Sequence, residues 1–218
     1  MAAPIAHIFL ALQMLSGPFK GLFNEKEFLV GTSFPDIRYL KVIEREKTHF
    51  SRVALTDIIR EKDSFRAGVL FHSFVDEKRE EYVVKNGFYE KIPDFKFSSQ
   101  SLKFAEDVIL KNHFDITPYI AYFDGILEQE TQCNIAAEHI KSWHFFLQEY
   151  FRGRYSEKEL ILKYFDFNEP NSWRIKRWIF SWIYSEKVRR AMFAIIHNQQ
   201  IHDLVLRFYM NFRNDFLQ

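Results

Sequence analysis

The chain has 218 residues, with 30 Lys or Arg against 29 Asp or Glu and a formal net charge of +1. That length suits one large domain with a substantial core, and that balance excludes the overall basic footprint of a nucleic-acid-binding protein. A single cysteine, Cys133, excludes a disulfide framework and a cysteine-rich zinc knuckle, while 7 Gly and 6 Pro beside 25 Phe favour long helices over turn-rich sheets.

The first stretch, Met1 to Gly17, is apolar but lacks a basic n-region, is interrupted by His7 and Gln13, and ends in Gly17-Pro18 rather than a small-x-small cleavage site. It is therefore not read as a signal peptide. No run of eighteen uninterrupted apolar residues occurs, so no membrane span is expected and the expected location is cytoplasmic.

Pro4 to Leu15 reads as a first helix with proline in its opening turn, and His7 sits beside its apolar face. Asn24 caps a short helix from Glu25 to about Ser33, which breaks at Phe34-Pro35 because the residue before a proline is pushed out of the α region. Asp36 follows on a bend or a first turn, where a carboxylate serves as an N-cap or as a ligand. His49 stands in the polar connection Lys47-Thr48-His49-Phe50, and a helix is expected from about Ser51 to Arg60.

Asp63-Ser64 then caps a long helix running to Asn86-Gly87. Within it His72 and Asp76 are four apart and share a face, with Gly68 one turn earlier leaving room for a neighbour. Such a pair either ligates one divalent metal or is a half-buried histidine bonded to its own i+4 carboxylate. Phe88 to Ser98 reads as a loop. Ser99 or Ser101 caps a helix through Asn112, with Glu106 and His113 on one side of it.

Thr117-Pro118 opens another helix, and Glu130 to Arg152 a longer one carrying Glu138, His139 and His144. Ser156-x-x-Glu159 is a capping box opening a helix to about Phe165, and Asn171 or Ser172 caps a last region, helical to about Tyr184 and again from Ser185. Strand alternation is absent over any useful length. The expected fold is all-α, one domain over 1–218, with residues 1–115 carrying the candidate site and 116–218 forming a helical C-terminal part.

His7, Asp36, His49, His72 and Asp76 form an ordered series of nitrogen and oxygen donors, the set that zinc or manganese takes without thiolates. The segments around them are Ala6-His7-Ile8-Phe9-Leu10-Ala11, Phe28 to Ile37 with Gly31-Thr32-Ser33-Phe34-Pro35-Asp36, Thr48-His49-Phe50, and Gly68 to Asp76. In order and spacing over roughly residues 5 to 80 they resemble the zinc-dependent phospholipase C-like family, of phospholipase C and S1/P1 nuclease type.

The resemblance implies an α-helical metallohydrolase cleaving phosphoesters. It implies that Asp36, His49, His72 and Asp76 surround one zinc and that His7 and Asp76 hold a second, with Asp76 bridging. A carboxylate not fully committed to metal, Asp36 or Asp76, is then expected to orient the attacking water. In the secreted nuclease-type relatives the N-terminal amine is also a ligand, and loss of Met1 before Ala2 would expose an amine near His7. The chain departs from the pattern at Tyr82, where a further histidine is usual, and no later His-x-x-x-Asp or His-x-x-x-Glu occurs. Glu106, Asp107, His113, His139 and His144 are the available substitutes, so one or two metals are expected.

The opening Ala-His-x-x-Leu-Ala and the Asp107 to Phe114 pattern are also similar to acyl carrier protein phosphodiesterase, another all-α metal-dependent enzyme. His202-Asp203 has the dipeptide of HD-type phosphohydrolases, without room downstream for the distant aspartate those need. From Pro170 onward eight Lys or Arg face three Asp or Glu, and Trp173, Arg174, Lys176, Arg177, Trp178 and Trp182 mix aromatics with cations. That region reads either as an amphipathic helix with solvated charges or as a contact for an anionic surface. The alternative to an enzyme is a helical binding protein with a degenerate metal site.

Overall fold

The computed structural model describes residues 2–92, 98–153 and 186–215. Among them every regular element is helical and there is no strand, as the sequence pattern predicts. No helix is long and apolar enough to cross a membrane. The basic aromatic segment around Trp173, Arg174, Arg177 and Trp178, and the two helices expected from Ser156 and Asn171, lie outside the described residues.

Helix α1, Pro4–Leu15, has Pro4 in its first turn and buries every side chain from Ile5 to Ala11, together with Met14. A helix apolar on all sides belongs at the centre of a fold, and α1 packs against α2 (Glu25–Ser33), α4 (Ser64–Lys85), α6 (Ser98–Lys111) and α10 (Gln199–Asp215). The caps fall where the sequence places them. The side chain of Asn24 accepts from the Glu27 amide and that of Asp63 from the Arg66 amide, each filling one of the orphan donors of a helix start. Gly87, with φ 60°, closes the far end of α4.

Pro35 does end α2, but the chain continues directly as a 3-10 helix, η1 (Phe34–Leu40), with Asp36 in its first turn. A second 3-10 turn, η2 (Arg45–Lys47), precedes His49. The helix expected from Ser51 starts later, as α3 (Leu55–Arg60), because Arg52 adopts φ 58° and Ala54 is extended. Phe88–Lys91 forms a single turn, α5, inside the expected loop. Thr117–Phe123 is a 3-10 helix, η3. The long helix expected over Glu130 to Arg152 is two pieces, α7 (Glu128–Thr131) and α8 (Ala137–Phe151), separated at Asn134 with φ 57°. The C-terminal run is broken likewise into α9 (Glu186–Ile196) and α10, where Asn198 accepts from the Ile201 amide.

Helices α2 and α4 pack backbone against backbone. Gly31 and Gly68 face one another across this contact, and a Cβ on Gly31 would overlap the Phe65 carbonyl, one on Gly68 the Phe28 carbonyl. The room that Gly68 leaves is therefore filled by the backbone of α2. Thr32 then reaches across and its hydroxyl donates to the Gly68 carbonyl at 3.2 Å. Gly68→Ala is expected to cost about 3 kcal/mol, because backbone rather than a flexible side chain must give way. Urea denaturation measures it, and a loss below about 0.5 kcal/mol would mean that the two helices separate freely.

Candidate metal centre

Five side chains from four separate elements converge between α1, η1, the His49 connection and α4. His7, Asp36, His72 and Asp76 are buried, and the side chain of His49 is 4% exposed. The Nε2 atoms of His49 and His72 lie 3.2 Å apart. Asp36 Oδ1 is 3.8 Å from His49 Nε2, while Asp76 Oδ2 is 3.9 Å from His49 Nε2 and 3.6 Å from His72 Nε2. On the other side of the same carboxylate, Asp76 Oδ1 lies 3.3 Å from His7 Nε2 and accepts the Ala2 backbone N–H at 2.7 Å. Every residue that the sequence singles out as a ligand is thus in one cluster.

The rings are held from behind. His72 Nδ1 lies 2.9 Å from the Thr32 carbonyl, which can only accept, so Nδ1 carries the proton and the Nε2 lone pair points at the other ligands. His7 stacks on His72 with centroids 3.9 Å apart and planes 10° apart. The Thr48 hydroxyl is 3.0 Å from His49 Nδ1 and within 3.3 Å of the Pro35 carbonyl. It can donate to His49 Nδ1, or donate to Pro35 and accept from Nδ1–H. In the second arrangement the Nε2 lone pairs of His49 and His72 face each other with no proton between them.

Neither ring nitrogen of His7, nor Asp36 Oδ1, has a hydrogen-bond partner among the described residues. Burying such groups unsatisfied is costly, and a cation removes the cost for all of them together. Two groups of donors lie within 4.8 Å of one another, His7 with His72 and Asp76, and Asp36 with His49 and His72, and each could hold a metal ion. His72 has one nitrogen to give, so it serves one ion only, and a link between two ions falls to the two oxygens of Asp76.

Burial lowers His72 to about 3 and His49 to about 4, the nearby carboxylates opposing the shift in both, and the close approach of His7 lowers His72 further. Burial alone would raise Asp76, but His72 and the His7 contact hold it well below the usual carboxylate range. Neutral imidazoles and an ionised carboxylate are the states that ligate.

The cluster opens onto a cleft of about 730 Å³, lined by His49 and Asp76 together with Arg45, Glu77, Glu80 and Glu81. The substitutes for the absent later ligands do not join it. Tyr82 donates its hydroxyl to the Leu204 carbonyl and packs on Phe208, tying α4 to α10. Glu106 takes both Nε and Nη2 of Arg79 at 2.7 and 2.8 Å, and the Tyr209 hydroxyl at 2.7 Å. Asp107 accepts from the Ile5 and Ala6 amides at the start of α1 and from Tyr150. His144 is committed to Glu130 at 2.7 Å. His113, His139 and the His202-Asp203 pair belong to neither group of converging donors. Thr32 and Thr48 are supports that the sequence does not flag, although each sits within one of the motif segments.

Comparison with protein-family models, with curated proteins and with solved structures finds no match to this chain in any of the three.

In metal-free protein the neutral imidazoles of His49 and His72 contribute stability that is complete above 6.5, the ordinary imidazole value, and is lost as the pH falls from there toward 4 and 3. The unfolded chain takes up those protons first, so unfolding gains in that window. Urea midpoints in the presence of a chelator should therefore drop between pH 7 and pH 5 more steeply for wild type than for His49→Gln. Equal slopes would mean that His49 is solvated.

Proposed function

We propose that this chain is a metal-dependent hydrolase of phosphoesters, of phospholipase C-like type, using one or two zinc ions, with manganese as the other metal that this donor set suits. What carries the reading is the spacing of the donors. Two ligands of a tetrahedral zinc with bonds near 2.05 Å are about 3.3 Å apart, and the His49–His72 and His7–Asp76 separations are 3.2 and 3.3 Å. The other separations, 3.6 to 3.9 Å, join Asp36, His49, His72 and Asp76, and the donors fall into two groups of three, Asp36 with His49 and His72, and His7 with His72 and Asp76. A second ion would take His7 and the other oxygen of Asp76. These residues follow one another in the order of the phospholipase C-like motifs, which supports that type.

A zinc ion held there supplies a bound water of lowered pKa and positive charge for phosphate oxygens. Asp76 is occupied by three imidazoles and the Ala2 amide, which suits a bridge. A carboxylate not fully committed to the metal orients the water, and Asp36, whose Oδ1 has no hydrogen-bond partner, is less engaged than Asp76. The second ring nitrogens of His49 and His72 face Thr48 and the Thr32 carbonyl, which keeps both rings in position for the reaction. Of the residues of the carrier-protein phosphodiesterase pattern, Asp107 on α6 caps the start of α1 and His113 is exposed, which favours the first reading over that alternative.

Protein purified without an affinity tag is expected to carry one to two equivalents of zinc or manganese by mass spectrometry. His72→Ala should lose the metal while keeping its helical circular dichroism. Wild type with no metal, and with no uptake on adding zinc, would reduce the cluster to core packing and leave a helical binding protein. In the metal-loaded state, Asp36→Asn should slow hydrolysis of bis(4-nitrophenyl) phosphate by about 10²-fold or more. Turnover equal to wild type would remove Asp36 from the chemistry.

A further inference from the structure

The buried contact between His49 and His72 joins two nitrogens that cannot both be bare. Their Nε2 atoms lie 3.2 Å apart, and His72 carries its proton on Nδ1, toward the Thr32 carbonyl at 2.9 Å. His72 Nε2 is therefore a lone pair. A second lone pair facing it at that distance would repel, and the carboxylates of Asp36 and Asp76 stand farther from His49 Nε2, at 3.8 and 3.9 Å. Yet neither ring has an orphaned buried nitrogen among the described residues, unlike His7 beside them. Both conditions are met when His49 is protonated at Nε2 and donates to His72. Its Nδ1 is then an acceptor and takes the Thr48 hydroxyl at 3.0 Å. That arrangement is complete, and it is closed to a metal.

Ligation by His49 and His72 needs both Nε2 lone pairs, so the His49 proton must leave Nε2 and another must be taken up at Nδ1. Exchange with water removes the one and supplies the other, and the ring stays neutral. The new Nδ1–H needs an acceptor, which the Thr48 oxygen becomes once its own proton turns elsewhere. Two carbonyls lie within reach of that hydroxyl, Pro35 at 3.3 Å and Arg45 at 3.4 Å. The Arg45 carbonyl already accepts the Thr48 and His49 amides, at 3.0 and 2.8 Å, which makes Pro35 the better acceptor. Rotation of one hydroxyl, on a residue only 2% exposed, thus serves both tautomers without moving a heavy atom. The 3.2 Å between the rings suits an N–H···N bond in one state and an edge of a zinc tetrahedron, about 3.3 Å, in the other.

We propose that Thr48 is a positioning residue that switches the tautomer of His49. Its hydroxyl holds His49 protonated at Nε2 in the metal-free chain and, turned to the Pro35 carbonyl, holds it protonated at Nδ1 when Nε2 ligates. The second state rests on the metal reading above and adds how that site is readied for its ion. One relocation frees two ligands, because the proton that leaves His49 Nε2 also uncovers the lone pair of His72. Pro35 adjoins Asp36 in the first turn of η1, so the turned hydroxyl ties the His49 connection to the Asp36 turn. The three residues of the group Asp36, His49 and His72 are then set together.

The test is two-bond proton–nitrogen NMR correlation of protein labelled at its histidine rings, metal-free and zinc-loaded at neutral pH, with His49→Gln to assign the ring. His49 should be protonated at Nε2 without metal and at Nδ1 with zinc bound. Nδ1 protonation in metal-free protein, or Nε2 protonation in the zinc-loaded state, would overturn the switch. Thr48→Val keeps the shape and loses the hydroxyl, and it should bind zinc about 10- to 100-fold more weakly in competition with a chelator. Thr48→Ser should restore the wild-type affinity. Equal affinity in wild type and Thr48→Val, or a loss in Thr48→Ser as large as in Thr48→Val, would also overturn it. If Thr48→Val does not fold, the wild-type tautomers decide alone. If wild type takes up no zinc, the metal reading has failed, and Thr48 is then judged on metal-free spectra. A His49 Nδ1 resonance that moves downfield in Thr48→Val and returns in Thr48→Ser would uphold its hold on the ring, and an unmoved one would overturn it.

Discussion

The contact between α2 and α4 through Gly31 and Gly68 sets the position of almost everything that could react. Because neither glycine has a Cβ, the two backbones come close enough for Thr32 to bond across the interface, its hydroxyl to the Gly68 carbonyl and its own carbonyl to His72 Nδ1. That second bond fixes which nitrogen of His72 is protonated, and so where the lone pair points. It also fixes α4 relative to η1, since η1 begins where α2 ends. Asp36 therefore reaches the His72–Asp76 face as a consequence of helix packing, and a side chain at either glycine would displace ligand and support together.

α1 is placed by a different interaction. Asp107 of α6 receives the amides of Ile5 and Ala6, orphan donors of the first turn of α1, and its neighbour Glu106 receives the fork of Arg79 from α4. Two adjacent carboxylates on one helix thus tie His7 on α1 to Asp76 on α4. Burial raises Asp107 to about 6, against the pull of the two amides and the Tyr150 hydroxyl, so the cap is maintained at a cost. A buried ion pair of this kind adds little net stability over apolar packing, but removing one partner leaves a charge stranded, at about 3–5 kcal/mol. Its use here is to set the position of two ligand-bearing helices.

How much of this was legible in the sequence follows from the range of the interactions involved. The caps Asn24 and Asp63, the stop at Gly87 and the break at Pro35 are local events, and the residues that cause them lie within a turn of their effects. The helix–carboxylate pair His72 and Asp76 was legible for the same reason, as spacing along one helix fixes distance in space. Where the chain pattern failed, at Ser51 and across Asn134, a non-glycine residue in a left-handed conformation broke a helix that its neighbours favour, and composition carries no signal for that. The Arg79–Glu106 pair could not have been placed, since it exists only through the packing of α6 near α4. Gly68 was legible as a point of close approach, but what approaches it is helix backbone.

The residues standing where further ligands would be expected have structural work that is incompatible with ligation. Tyr82 bridges α4 to α10, Glu106 neutralises Arg79, and Asp107 caps α1. A third ion would need donors from these or from new positions, and freeing Glu106 or Asp107 would strand a buried cation or the amides of a helix start. The available donors set a firmer limit. His72 has one nitrogen turned toward both groups of donors, His7 with Asp76 on one side and Asp36 with His49 on the other, so an ion that takes it would leave the other group with two of its three residues. His7 is almost fully buried while His49 and Asp76 line the cleft, so an ion on the His49 side would be the one that water and an incoming ligand reach. Two unequal positions, one buried at His7 and one facing the cleft at His49, are what this set of side chains permits.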